Sequence, residues 1–511
     1  MAGSTDLVSL CSASSFPFPD LPGAQLDSIT ASPVHNFSGV APEYYYFNHP
    51  TVTVTNSTFC NVTISYTHPG QGDLVTVNSY LPISSPSWNR RFQAVGGGGW
   101  QAGMWLLTDI EMIGALGGGY ATITTDAGVS GPVPDDWALV SEGNVNLYAL
   151  QNFASVSLRD QAVIGKSLIE SFYGEGPSYS YWSGCSTGGR QGLMLAQRYP
   201  DLYDGIAASA PGINWSAFLA GHIWSKVVLN TYLNGIEPDR CELNEVTARA
   251  IEFCDELDGF VDGLISDDEA CYEAFDPKSL VGSSFLCAST NQTATISQEA
   301  ITFAEKLWEG PRAADGSFIW YGRTIGAPLA DNNTDFVIDN VASRWVRFFV
   351  EKDSSYDLDN ITLQEYEWQS HRAIAEFDDI IGTNDANLKE FHRQGHKMLT
   401  FHGLMDPQVS VKNTRHYYNA VSDTTPDVHK FYRLFDIPGM NHCYGGSGGQ
   451  PTSLFETLRN WVEDNTTPEK LPITFTEPNG DAFERIVCPY PQKTLWDEVG
   501  DIKDPSSFYC A

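Results

Sequence analysis

The sequence predicts an α/β protein, a largely parallel sheet interrupted by a long insertion. Three observations predict it. Short apolar strands alternate with helical stretches around a glycine-flanked serine. That pattern breaks off near Asn214 and returns at His396. The chain has 511 residues, beyond the ~250–300 at which single cores stop growing, so a second unit is expected. The expected division is a main α/β domain over 1–212 and 396–511 and an inserted domain over 213–395.

The elements follow in order. Residues 40–80 are rich in Thr, Val, Tyr and Asn, and "TVTVTNSTFCNVTISY" alternates as antiparallel strands do. "RRFQAVGGGGW" (90–100) is a short apolar strand running into four glycines, and "GYATITTDAG" (119–128) is a strand ending in a turn. "NLYALQNFASVSLRDQAVIGKSLIESFYG" has helical spacing and stops at Gly174. "YSYWSGCS" is a strand, "GGRQGLMLAQRYP" a helix stopping before Pro200, and "YDGIAASAP" the next strand. From 214 to 395 the chain is helical, irregular and loop-rich. "HKMLTFHGLMDP" and "HKFYRLFDIPGMNHC" then restore the strands. No internal repeat or low-complexity segment interrupts this order.

Composition narrows the partners. With 42% apolar residues the chain has ample material for a core. Its net charge of −34 would be repelled by a phosphate backbone, which argues against nucleic acid. No run of 18 apolar residues is present, so no membrane span is expected. Ten cysteines, none at CxxC spacing, point to disulfides rather than zinc. Asn-X-Ser/Thr sequons occur at Asn36, Asn56, Asn61, Asn214, Asn291, Asn332, Asn360 and Asn465. Together these features predict a secreted glycoprotein, although "MAGSTDLVSL" lacks a signal peptide's basic start and apolar stretch. The simplest account is a mature chain carrying Met1 and a short leader in place of its signal.

"GCSTG" (184–188) fits G-x-S-x-G, the turn that exposes a nucleophilic serine. An ordinary glycine-rich turn looks similar, but this one follows a strand and opens a helix, as the chemistry requires. A serine hydroxyl needs a histidine base, and the histidine needs a carboxylate to fix its tautomer. In this architecture the chain order is Ser, acid, His. Asp406 lies just past a strand end and His442 in the loop after the next strand, so the triad is read as Ser186, Asp406 and His442. Asp436 is kept as a minor alternative acid. His222 and His371 fall in the insertion and His35, His49 and His68 near the N-terminal strands, so they compete poorly. His402, beside Asp406, is a candidate for the pocket lining. Oxyanion donors are expected from the backbone N–H of Thr187 and from Gly98 or Gly99 in "VGGGGW".

Cys185 precedes the serine and Cys443 follows the histidine. If the two are bonded, the bridge holds nucleophile and base in register, where misplacement by about 1 Å can cost ~10²-fold in rate.

This arrangement, Cys185-Ser186, Asp406 and His442-Cys443, resembles the fungal tannase and feruloyl esterase family. The likeness extends over nearly the whole chain, through "GGGG", "CSTGGRQG", the insertion, "FHGLMDP" and "PGMNHC". It implies an α/β-hydrolase domain, a lid inserted after the nucleophile, and hydrolysis of aromatic-acid esters. "CSTGGRQG" is nearer the feruloyl esterase branch than the tannases, which carry an acidic residue after the serine and a longer insertion. The leading expectation is therefore a secreted serine esterase cleaving hydroxycinnamate esters of small-molecule or polysaccharide-linked phenolics. The alternatives are a tannase, and a catalytically silent hydrolase fold used for binding. Lid aromatics Trp215, Phe218, Trp224, Phe318, Trp320, Tyr321, Trp345 and Trp368 suit phenolic rings, though most are expected in the lid core.

The resemblance also implies a structural calcium in "CDELDGFVDGLISDDEAC" (254–271), held by Asp255, Asp258 and Asp262 and the carbonyls of Phe260 and Leu264. Read without it, the segment is equally an acidic solvated loop. The expected disulfides are Cys11–Cys60, Cys185–Cys443, Cys254–Cys271 and Cys488–Cys510, with Cys241–Cys287 as the remaining pair.

Overall fold

A computed structural model describes residues 4–129, 131–330, 340–476 and 479–511. Its main sheet has nine strands: β1 (Gln25–Ala41), β2 (Val52–Thr67), β3 (Val75–Ser84), β4 (Arg91–Val95), β5 (Ala121–Thr125), β6 (Tyr179–Cys185), β7 (Gly205–Ser209), β8 (Lys397–Gly403) and β9 (Tyr432–Ile437). They lie in the order 1-2-3-5-4-6-7-8-9. β1, β2, β3 and β5 pair antiparallel, whereas β5, β4, β6, β7, β8 and β9 run parallel.

Burial explains the two halves. β2 and β3 alternate buried and half-buried positions along much of their length, as strands with one dry face do. β5 and β7 are buried at every position because helices cover both faces. Leu158, Leu168, Leu193, Tyr417 and Val421 fill the core on one face, from helices α2 (Ser157–Tyr173), α3 (Thr187–Arg198) and α4 (Val411–Thr424). Ala115, Leu454, Leu458 and Trp461 fill the other, from α1 (Leu106–Gly117) and α5 (Leu454–Asp464). α2 stops at Gly174, whose φ of 78° is a left-handed cap that glycine adopts without strain.

Several elements lie outside the sequence-based reading, α4 and α5 among them, and β1 and α1 show why. β1 begins fifteen residues before the predicted strand run, and it is an edge strand, mostly exposed and bearing Pro33, so it lacks the apolar alternation that announces a strand. α1 carries two glycines and follows the glycine loop, which hides its helical signal.

Between β7 and β8 the insertion packs around its own core, with Trp224, Leu243, Phe303, Trp345 and Phe349. Trp100, Trp137 and Phe153 of the catalytic chain join that core. At its far end, Leu388 and Phe391 pack in the catalytic core instead. The insertion's own packing therefore ends short of the expected boundary at 395.

All ten cysteines are paired, in the five expected combinations. Asn36, Asn56, Asn291, Asn360 and Asn465 are exposed and Asn61 is half-buried. Asn332 lies outside the described residues. Asn214 corrects the sequon reading: it is buried, and its side-chain amide donates to Asn413 at 2.8 Å, leaving no room for a glycan. Among the described residues no helix is long and apolar enough to cross a membrane.

Candidate active site

Ser186 sits between β6 and α3 at φ 61°, ψ −119°, a strained conformation for a residue with a side chain. The turn is clamped: its N–H donates to the Ser209 carbonyl at 3.0 Å, and its own carbonyl accepts from Arg190 and Gly212 at 2.9 and 3.1 Å. The flanking glycines are steric requirements, since a Cβ on Gly184 would lie 2.7 Å from the Gly188 carbonyl carbon.

Asp406 follows β8 and is fully buried. Its Oδ2 lies 2.6 Å from His442 Nδ1, and its Oδ1 accepts the N–H groups of Gln408 and Val409 at 2.8 and 2.9 Å. Burial opposes its ionisation. The charge interaction with His442 and the hydrogen bonds from His402 and His442 prevail and hold it well below the usual carboxylate range. With Nδ1 donating to the carboxylate, His442 presents Nε2 as an acceptor. His402 lies beneath the site rather than in the cleft lining: its Nε2 is 2.7 Å from the Val409 carbonyl and 3.2 Å from Asp406, and its Nδ1 is 2.8 Å from Thr414. The rival acid, Asp436, is bound to Arg415 at 2.7 Å, and Arg415 continues to Asp268.

The Cys185–Cys443 bridge joins the neighbours of Ser186 and His442 across a Cα separation of 5.9 Å, and it is buried with Ala210. Ser186 and His442 open onto one cleft of about 700 Å³.

The glycine loop is fastened to α3. Gly188 N–H donates to Gly97, Thr187 Oγ1 donates to the Gly99 carbonyl at 2.7 Å, and Gln191 bonds Gly97 N–H and the Ala102 carbonyl. Gly98 is corrected as an oxyanion donor, because its N–H is committed to the Gln101 carbonyl at 3.0 Å. Of the expected pair this leaves Gly99, whose φ of 56° is left-handed. Thr187 is the first residue of α3, so its N–H has no intrahelical acceptor.

The insertion supplies the other wall through Trp215, Phe218, Leu219, His222 and Val341. Trp224 and Trp345 are core, whereas Phe318 and Trp368 are half exposed. His222, set aside on sequence for its place in the insertion, lines the cleft, where burial, with the Arg323 charge, lowers it to about 4 and keeps it neutral. Sequence reasoning also passed over Arg190. Fully buried, it donates to the carbonyls of Ala154 and Phe153 and lies 5.3 and 5.5 Å from the rings of Phe153 and Trp215. Its place in "GGRQG", inside the helix the serine opens, was the available signal.

The acidic loop lies apart from the cleft. Asp255 accepts the N–H groups of Asp262 and Gly263, both at 2.9 Å. Asp262 is ion-paired with Arg485. Asp258 accepts from Phe260 N–H at 3.3 Å, while its Oδ2 is buried without a partner. Burial, aided by the charges of Asp262 and Asp255, pushes Asp258 up to about 7. Phe260 packs with Ile486, Cys488 and Phe508 of the C-terminal segment, and Leu264 is buried. Among the described residues no three carboxylates, imidazoles or thiolates are grouped as a metal cage.

A strained serine at a strand-to-helix turn, with an acid–imidazole pair from the ends of β8 and β9, defines an α/β-hydrolase with an inserted lid. Residues 60–511 match the family described as "Tannase and feruloyl esterase". The chain is 36% identical over 510 residues to a probable feruloyl esterase of Arthroderma benhamiae, covering 96% of this chain and 92% of that one. It is 27% identical to a tannase of Aspergillus oryzae, over 94% and 88% of the two chains. The solved tannin acyl hydrolase from Aspergillus niger superimposes with a TM-score of 0.87 at 26% identity, covering 99% of this chain and 95% of that one. The chain belongs to the tannase and feruloyl esterase family, and it is a carboxylic ester hydrolase.

Proposed function

We propose that the protein hydrolyses hydroxycinnamate esters through an acyl-enzyme on Ser186. The observation that carries the reading is His442, paired with the buried Asp406, opening with Ser186 onto a cleft walled by Trp215 and Phe218. His442 Nε2 takes the serine proton as Oγ attacks the ester carbonyl carbon. The carbonyl oxygen becomes an oxyanion facing the N–H groups of Thr187 and Gly99. His442 then gives its proton to the departing alkoxide, which leaves as the alcohol. Water repeats the sequence, with His442 as base, and frees the acid and Ser186. Asp406 holds the imidazole tautomer throughout.

The greater identity to a feruloyl esterase than to a tannase supports hydroxycinnamates over galloyl esters. A catalytically silent fold is disfavoured, because Asp406 and His442 are already joined at 2.6 Å. Rates on methyl ferulate, caffeate and gallate, measured side by side, test the acyl preference, and a gallate rate above the other two overturns it. Labelling with a serine-reactive phosphonate must modify Ser186; modification elsewhere removes the mechanism.

Secretion belongs to the same proposal, supported by five disulfides and exposed sequons. So does a structural calcium at Asp255, Asp258 and Asp262, with the carbonyls of Phe260 and Leu264. The buried, unpartnered Asp258 Oδ2 and the oxygen-rich segment around it suit a hard cation in their chemistry, although the three carboxylates are not grouped as a cage and Arg485 competes for Asp262. No catalytic step passes through it.

A further inference from the structure

The glycine loop is followed at once by a second set of polar groups on the cleft wall. Trp105 caps α1, and Glu111 lies within it. Both line the cleft that holds Ser186 and His442. Glu111 is 5% exposed, and its Oε2 has no hydrogen-bond partner. Trp105 Nε1 is likewise buried and unpartnered. Buried polar groups normally find partners, and an unmet one costs free energy. Burial raises the Glu111 carboxyl well above the usual range, which favours its protonated form, able both to donate and to accept. The indole N–H only donates.

We propose that Glu111 and Trp105 form a hydrogen-bonding subsite for a hydroxyl group of the ester substrate. A hydroxyl matches this wall because it accepts from the indole and can donate to the carboxyl oxygen in either protonation state. Neither group is needed for the proton transfers at Ser186, so the subsite sets specificity. The inference rests on reading the cleft as the ester-hydrolase site. The hydroxyl comes either from the phenolic ring of the acyl part or from the alcohol part.

Two substrate pairs separate these sources. Methyl 4-hydroxycinnamate against methyl cinnamate varies the ring hydroxyl. Glyceryl cinnamate against propyl cinnamate varies the alcohol hydroxyls. kcat and KM are measured for both pairs with wild type, Glu111→Gln, Glu111→Leu and Trp105→Phe, each checked for folding by circular dichroism. In wild type the hydroxylated member of one pair is preferred. In Glu111→Leu that preference falls by about tenfold or more, chiefly through KM, because a site built to bond a hydroxyl loses that discrimination with its partner. Glu111→Gln retains most of the preference, and Trp105→Phe lowers it in the same pair. Equal ratios in wild type, or ratios unchanged in folded Glu111→Leu, overturn the proposal. If Glu111→Leu does not fold, unchanged ratios in Trp105→Phe do so. A wild type inactive on all four esters instead refutes the ester-hydrolase reading on which it rests.

Discussion

The two walls of the cleft are built by opposite means. The catalytic wall is a frame of directional bonds: Ser186 is clamped by three backbone hydrogen bonds, Asp406 engages two imidazoles and two N–H groups, and a disulfide closes the frame. The lid wall is aromatic packing, with Trp100 5.3 Å from both Trp215 and Phe349, and Trp345 5.0 Å from Phe349. Proton transfer tolerates little displacement, whereas ring packing is broad in geometry and can shift with the substrate. Damage to the frame should therefore appear in kcat, and damage to the lid in KM or stability.

The largest effects test the frame itself. Ser186→Ala and His442→Ala should lower kcat by roughly 10⁴-fold or more, and Asp406→Asn by about 10⁴, with melting curves showing a folded protein. An Asp406→Asn variant near wild type, together with a dead Asp436→Asn, would move the acid to the Arg415 pair.

A smaller loss, about 10²-fold in kcat, is expected when both Cys185 and Cys443 become alanine. KM should change less, because Trp215 and Phe218 are held by the lid core. The assay belongs well below the variant's unfolding midpoint, since closing so long a loop contributes up to about 5 kcal/mol in the chain-entropy model. A stable double variant with unchanged kcat would reduce the bridge to a staple.

The lid should respond to chelation through stability. If the proposed calcium is bound, removing it with a chelator should lower Tm more than it lowers kcat at a temperature where the protein stays folded. An unchanged Tm would return the 255–264 segment to a solvated loop.

The smallest effect concerns His222. Its pKa is lowered to about 4, so the folded protein resists protonating it. That contribution is complete above about pH 6.5, the ordinary histidine value, and is lost as pH falls toward 4. Tm should therefore decline over this window, with a shallower slope in His222→Phe. Parallel slopes would show that His222 is not the titrating group.

Much of the frame was legible because each part answers a local rule. The serine turn needs glycines on both sides, the acid follows a strand end, and paired cysteines flank the nucleophile and the base. The oxyanion loop was legible only as a run of glycines. Gly98 and Gly99 look alike in sequence, and the hydrogen bond to Gln101 that excludes Gly98 depends on how the loop folds back. β1 was missed because an edge strand with one proline carries little apolar alternation.

The sequence by itself determined the parallel α/β order, the insertion, the Ser–Asp–His succession and a cysteine content that favours disulfides. These follow from periodicity, turn chemistry and composition, which are properties of neighbouring residues or of the whole chain. Tertiary structure alone decided that Asp436 belongs to Arg415 and that Asn214 is sealed against Asn413. It also brought His222 to the cleft and left the Glu111 Oε2 buried and unpartnered in its wall. Those outcomes depend on burial and on which distant groups meet, and burial controls the charge of a side chain without leaving a mark in its immediate sequence.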